Sequence, residues 1–192
     1  MLSVKELLSG RVKRVSFVNR FSSFNVSRYE NVAEHSYFVS LYCMLIANDI
    51  EESVNYERLM QSALLHDIDE SMTGDIIRMI KYDSEAMKQV VDRISLNSVR
   101  VILGDLNADK LIESFIYSKS NSIEGDILKV ADMLSVSSYL LSELERGNTT
   151  FFISSAPLNI RYLKELNVSP QLNQYIDDAI LLMEEYLELQ KT

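Results

Sequence analysis

The sequence predicts an all-α chain, and three observations carry that prediction. Glycine and proline are scarce, 5 and 2 in 192 residues, which argues against a turn-rich β fold. Apolar residues recur at three- and four-residue spacing through most of the chain. No run alternates with the period of two that a half-buried strand shows.

An opening helix is expected over residues 3–16, followed by an ordered loop over 20–30, RFSSFNVSRYE. The next helix starts at Asn31, a good N-cap, and Glu34 three residues on completes a capping-box pair. Its apolar positions, Val39, Met44 and Ala47 among them, continue to about Asn48. A third helix runs from about Tyr56 through Leu59, Ala63 and Leu64 to His66 and Asp67, and Thr73-Gly74-Asp75 breaks it. A long helix follows Asp83, with Met87, Val91, Ile94 and Ile102 at roughly helical spacing, and another covers about 109–118. Ser122 to Leu144 reads as a buried helix with Ile127, Val130, Ala131, Leu134 and Leu141 on one side, closed by Arg146-Gly147-Asn148. Residues 151–153, FFI, are too short to classify. Ser169-Pro170 gives an N-cap and a proline at the first helical position of a final helix with Leu172, Ile176, Ala179, Met183 and Leu187 on one face.

No repeat or low-complexity linker divides the sequence, so 1–192 reads as one domain, its motif-bearing part at about 10–150 and its C-terminal helices at about 155–190. The longest nearly apolar stretch, Tyr37 to Ala47, is too short to span a bilayer, and the N-terminus lacks the order of a signal peptide. The single cysteine, Cys43, falls in an apolar run, as expected of a buried residue in a reducing cytoplasm. The net charge of −9 disfavours a nucleic-acid polymer as partner. Charge is uneven, however. Residues 7–29 hold Arg11, Lys13, Arg14, Arg20 and Arg28 and no acid, so this segment carries +5 and the rest −14. A basic patch in an acidic chain suits a small anionic ligand. An ordinary solvated face accounts for Arg11, Lys13 and Arg14.

The two histidines carry the chemistry. His35 lies on the first turn of one helix, His66-Asp67 at the end of the next, and Asp132 inside a helix of mostly apolar residues. A carboxylate in such a helix needs a partner or a metal. Two imidazoles and two carboxylates suit Mn, Co, Ni, Fe or Zn better than Ca or Mg. Adjacent residues diverge by about 100° on a helix, so His66 and Asp67 can share one ion only near a helix end or with suitable rotamers. The alternative is a core histidine with a capping aspartate nearby.

These pieces, in this order, resemble the HD-domain phosphohydrolases, whose signature is H…HD…D, and within them the bacterial 5'-deoxynucleotidases. The matching runs are Asn19-Arg20-Phe21, Glu30-Asn31-Val32-Ala33-Glu34-His35-Ser36, and His66-Asp67-Ile68-Asp69-Glu70-Ser71-Met72-Thr73-Gly74-Asp75 with Lys81 six residues on. Ala131-Asp132-Met133-Leu134 and Glu145-Arg146-Gly147-Asn148 follow. The run HDxxExxTGD is the most specific.

The resemblance implies an HD-domain helical bundle and one divalent transition metal on His35, His66, Asp67 and Asp132. It makes Glu70 the catalytic acid/base, four residues after His66 and on the same side if the helix continues. It makes Asp75 a carboxylate acting around the sugar and catalytic water, unless it only caps the next helix. Arg20 matches the phosphate-gripping arginine, with Lys81 as its helper or else a plain surface lysine. Asp69 has no implied role and is expected in solvent. Two departures stand out. Phe21 replaces the tryptophan that commonly packs against the sugar and excludes a 2'-hydroxyl. The segment Ile76-Ile77-Arg78-Met79-Ile80 lacks the usual prolines. The implied activity is hydrolysis of deoxynucleoside 5'-monophosphates to deoxynucleosides and phosphate by a cytoplasmic homo-oligomer. The alternatives are a deoxynucleoside triphosphate triphosphohydrolase and a nucleotide-binding module without activity.

Overall fold

A computed structural model describes residues 4–104, 106 and 108–191. Among these, the only strand-like pairing is one antiparallel bridge, Asn19 with Asn31. The fold is all-α, as expected.

The predicted opening helix is broken. Helix α1 covers Val4–Ser9, Gly10 is extended (φ −68°, ψ 159°), and Arg11–Phe17 form a 3-10 helix; residue 3 lies outside the described residues. Glycine disfavours helix interiors, and Arg11 and Arg14 would repel one another at i, i+3 on a continuous α-helix. The chain then turns back on itself. The Arg20 N–H donates to the Glu30 carbonyl (2.8 Å) and the Val32 N–H to the Val18 carbonyl (3.0 Å), closing the 20–30 loop at its base.

Helix α2 (Val32–Asp49) starts as predicted. Asn31 Oδ1 accepts the Glu34 N–H at 3.0 Å, and Glu34 Oε2 accepts the Asn31 N–H at 3.4 Å. Helix α3 (Tyr56–Leu65) stops one residue before His66 instead of including it. From there the chain makes i→i−3 hydrogen bonds, Ile68 to Leu65 and Glu70 to Asp67, before the short α4 (Glu70–Thr73). Gly74 ends α4 with φ +72°, a region costly for any residue with a Cβ. Helices α5 (Arg78–Lys81), α6 (Glu85–Gly104) and α7 (Asp109–Tyr117) follow. Of the four apolar α6 positions at helical spacing, Val91 and Ile102 are buried, while Met87 and Ile94 are exposed.

Helix α8 (Ile123–Glu145) is capped by Ser122, whose hydroxyl accepts the Gly125 N–H. Gly147 stops it with φ +85°, which lets Asn148 cap α9 (Thr149–Lys164) at once. The FFI run is therefore helical, with Phe151 and Phe152 buried and the helix carrying Pro157 inside it. A 3-10 turn, Pro170–Leu172, leads into α10 (Asn173–Leu189); Pro170 holds the predicted first position, but the Ser169 side chain makes no capping bond.

Three apolar clusters hold the elements together. The first joins α2, α3, α8 and α10 through Val39, Cys43, Leu59, Ile127 and Ile176. The second packs Tyr139, Leu140, Phe151, Phe152 and Met183. The third packs Ile68 against Val99, Ile102 and Phe115, fixing the turn after α3. Burial of such side chains is worth about 1.5–3 kcal/mol each.

Candidate metal centre and substrate pocket

The first turn of α2, the end of α3 and the middle of α8 meet at one point. His35, fully buried, has its Nε2 3.1 Å from Asp132 Oδ1 and 3.3 Å from His66 Nε2. Asp67 Oδ2 lies 3.2 Å from His66 Nε2 and 3.6 Å from His35 Nε2. His35, His66 and Asp132 each offer a donor atom within 4.8 Å of the others. His66 and Asp67 can both face this point because α3 has already ended.

The far side of each ring fixes its orientation. His66 Nδ1 lies 2.7 Å from the Ala63 carbonyl, which can only accept, so Nδ1 carries the hydrogen and Nε2 presents its lone pair to the cluster when the ring is neutral. His35 Nδ1 lies 3.1 Å from Ser135 Oγ. Two imidazole nitrogens and two carboxylates thus converge on one point, a donor set that a cation can bridge.

Charge responds accordingly. Burial works against a charged His66, but Asp67 and Asp132 outweigh it and raise its pKa to about 9. Burial and Arg20 push His35 down to about 4. Burial would raise Asp132, yet the hydrogen bond to His35 and the charges of both imidazoles hold it at about 2. Asp67 is held well below the usual carboxylate range despite burial, chiefly by His66. A divalent ion of borderline softness fits this donor set.

The other predicted residues surround the cluster. Arg20 ion-pairs with the buried Glu30 at 3.0 Å; burial opposes its charge, but Asp132, Glu30, Asp67 and Glu70 raise its pKa further. Glu70 begins a new short helix instead of continuing α3. Its Oε2 is buried without a hydrogen-bond partner, and burial, then Asp67 and Asp75, push its pKa to about 10. Asp75 caps no helix; its Oδ2 accepts the Phe21 N–H at 3.3 Å. Lys81 is half-buried, and Asp67, Tyr82, Asp69 and Glu70 outweigh burial to favour its charge. Asp69 corrects expectation. It is buried, not solvated, with burial raising its pKa and a side-chain hydrogen bond to Ser95 opposing.

Phe21 has φ +57°, the only positive φ outside glycine among the described residues. A phenylalanine pays roughly 1–2 kcal/mol for it. Its ring stacks on Tyr139, centroids 4.6 Å apart and planes 5° apart, with Phe24 and Phe151 edge-on.

Two histidines and two aspartates gathered in this order on an all-α scaffold match the signature of an HD-domain phosphohydrolase. The sequence profile of the 5'-deoxynucleotidase YfbR-like family matches residues 8–181, and the chain belongs to that family. It is 29% identical over 158 residues to a 5'-deoxynucleotidase of Citrobacter koseri, covering 77% of each chain. An HD-domain phosphohydrolase from Listeria innocua superposes with a TM-score of 0.65 at 18% identity, over 97% of this chain and 99% of that one. The cyanophage S-2L HD phosphohydrolase DatZ, bound to dA and one catalytic Zn2+, superposes with a TM-score of 0.61 at 16% identity, over 95% and 96%. The chain is thus a hydrolase acting on nucleotide phosphate esters.

Sequence reasoning assigned no role to Glu30, Ser135, Tyr139 or Glu143. Glu30 was visible inside the run that carries His35, and Ser135 lies three residues, close to one helical turn, beyond Asp132. Tyr139 and Glu143 meet partners more than 100 residues away, which no local signal announces.

Proposed function

We propose that the chain converts deoxynucleoside 5'-monophosphates to deoxynucleosides and phosphate, with His35, His66, Asp67 and Asp132 holding one ion of Mn, Co, Zn, Ni or Fe. The observation that carries this reading is the convergence of those four side chains beside Arg20 and the unpartnered Glu70 Oε2. When bound, the ion supplies charge stabilisation on the phosphoryl oxygens and lowers the pKa of the attacking water toward about 7. Arg20 grips the phosphate, with Lys81 adding positive charge. Glu70 moves the proton. Asp75 orients the sugar and water, and holds Phe21 in place through its N–H. Phe21 packs against the deoxyribose.

A monophosphate fits the available cations. Arg28 is paired with Glu34 at 2.6 Å, and Arg78 lies over Tyr82 and Tyr162, so neither is aimed at the cluster. A triphosphate carries more charge and needs more partners. The test is a panel of nucleotides with added Mn or Co, separating phosphate, pyrophosphate and tripolyphosphate. Orthophosphate from deoxynucleoside monophosphates is expected. Tripolyphosphate from triphosphates, with monophosphates untouched, overturns the substrate assignment.

Phe21→Trp is expected to sharpen deoxy preference. A larger ring buries more of the apolar 2'-methylene of the deoxy sugar, and about 0.8 kcal/mol for one buried CH2 is roughly fourfold in the deoxy-to-ribo ratio. Equal rates for matched ribo- and deoxyribonucleotides in both versions would remove this position from sugar reading.

The same reading takes 1–192 as one HD domain, supported by Leu163, Leu172 and Ile176 sharing a cluster with Val39 and Cys43. It places the enzyme in the cytoplasm as a homo-oligomer. The buried, unpaired Cys43 supports the compartment, and the outward stripe Tyr37, Met44 and Leu45 on α2 supports association. Among the described residues no helix is long and apolar enough to cross a membrane.

A further inference from the structure

Four side chains of α8 form one stripe facing the site. Asp132, Ser135, Tyr139 and Glu143 fall within an arc of about 80° at 100° per residue. The first two meet opposite sides of the His35 ring, at Nε2 and Nδ1. The other two meet the loop that carries Arg20 and Phe21. Tyr139 lies flat on Phe21 and donates its hydroxyl to the Arg28 carbonyl at 2.8 Å. Glu143 is fully buried and accepts the N–H groups of Ser27 (2.5 Å) and Arg28 (3.1 Å). It also accepts from Asn148 Nδ2 at 2.9 Å and Arg146 Nη1 at 3.5 Å, and Asn148 Nδ2 donates in turn to the Asn25 carbonyl. The Arg146-Gly147-Asn148 turn thus has a task, since the reversal at Gly147 brings Asn148 back beside Glu143.

The loop needs anchors of this kind. Beyond the closure at its base, its backbone is tied to the rest of the chain by few bonds, and Phe21 is held in a left-handed conformation that its own side chain disfavours. A buried carboxylate persists only where donors answer its charge, and for Glu143 two of these are loop N–H groups.

We propose that Tyr139 and Glu143 are positioning residues for substrate recognition: α8 carries the metal-ligand face and the loop anchors on one rigid helix, so that Arg20 and the Phe21 ring stand at fixed places relative to the cluster. Tyr139 sets the plane of Phe21, and with it the choice between deoxyribose and ribose. The inference rests on the reading above, in which Arg20 takes the phosphate and Phe21 the sugar.

Binding without turnover tests it. In a Glu70→Gln background loaded with Mn, calorimetry gives the affinity for a deoxynucleoside 5'-monophosphate and its ribo counterpart. Tyr139→Leu removes the plane beneath Phe21 and is expected to lower the deoxy-over-ribo ratio at least about threefold. Tyr139→Phe keeps the stack and the ratio. Glu143→Gln turns one acceptor into a donor facing a backbone N–H, which loosens the loop and weakens both nucleotides about tenfold. Metal stoichiometry is expected to stay unchanged in all three variants. Thermal melts check folding, and Glu143→Gln carries the test should Tyr139→Leu not fold. Unchanged affinity in Glu143→Gln overturns the inference, as do an unchanged ratio in a folded Tyr139→Leu, a ratio already at one before substitution, or metal lost in step with nucleotide. Each of these leaves the functional reading standing. Failure of the metal-loaded Glu70→Gln protein to bind any nucleotide overturns both.

Discussion

Asp132→Ala is expected to lose bound metal and activity together. Its Oδ1 lies 3.1 Å from His35 Nε2, and it is the one carboxylate that α8 sends into the cluster. Without it, two imidazoles and Asp67 remain, and the donor set no longer answers a divalent charge on the α8 side. Loss of an outer-shell partner typically weakens a metal 10- to 100-fold, so loss of a ligand should exceed about 100-fold. A readout independent of turnover is available. A ligand held only by the folded state stabilises it by about 2.7 kcal/mol at a hundred times its dissociation constant. The melting temperature of the parent should therefore rise with added Mn or Co while that of Asp132→Ala stays flat. The fold itself should survive, because Asp132 is about one-third exposed and contributes nothing to the apolar clusters. Purified Asp132→Ala with parental metal content and parental turnover would remove this residue from the site.

Punctuation was the most legible part of the sequence. The Asn31–Glu34 box and the breaks at Gly74 and Gly147 act through side chains or backbone freedom within a few residues, so local reading finds them. The four proposed ligands, His35, His66, Asp67 and Asp132, were visible as types and order. What made His66 and Asp67 face one point was not, since it depends on α3 ending at Leu65 and on Ile68 docking into the third cluster. C-terminal helices are expected from about 155, but the first turns of α9 were not legible, because Asn148 reads equally as the end of one helix and the cap of the next, and because Pro157 argues against a helix that burial of Phe151, Phe152 and Ala156 nonetheless stabilises. Asp69 looked solvated because nothing local tells that α6 brings Ser95 to it. The left-handed Phe21 had no signal at all: glycine marks such positions, and here tertiary contacts from Asp75 and Tyr139 impose the conformation on a residue that would not choose it.

Glu70→Gln is expected to separate proton transfer from metal binding. Glu70 is half-buried, its Oε2 is buried without a partner, and it feels the charge of Asp67 and Asp75 without appearing in the ligand group. Its removal should cost about 10²- to 10⁴-fold in turnover, the range for a positioned acid or base, while metal content stays near parental. The metal-free protein offers a second, opposite-signed readout. Burial first, then the two aspartates, raise this carboxyl from its ordinary 4.5 to about 10, so the folded state binds a proton that the unfolded state has released. The contribution of Glu70 to stability is then full below about 4.5 and falls steadily as pH rises toward 10. Glutamine keeps the shape and cannot ionise, so Glu70→Gln should melt near the parental temperature at pH 5 and increasingly above it at pH 7 and pH 9. Parallel melting curves across that range would show that Glu70 is not held protonated by its surroundings, and turnover within a few-fold of the parent would move the residue from chemistry to scaffold.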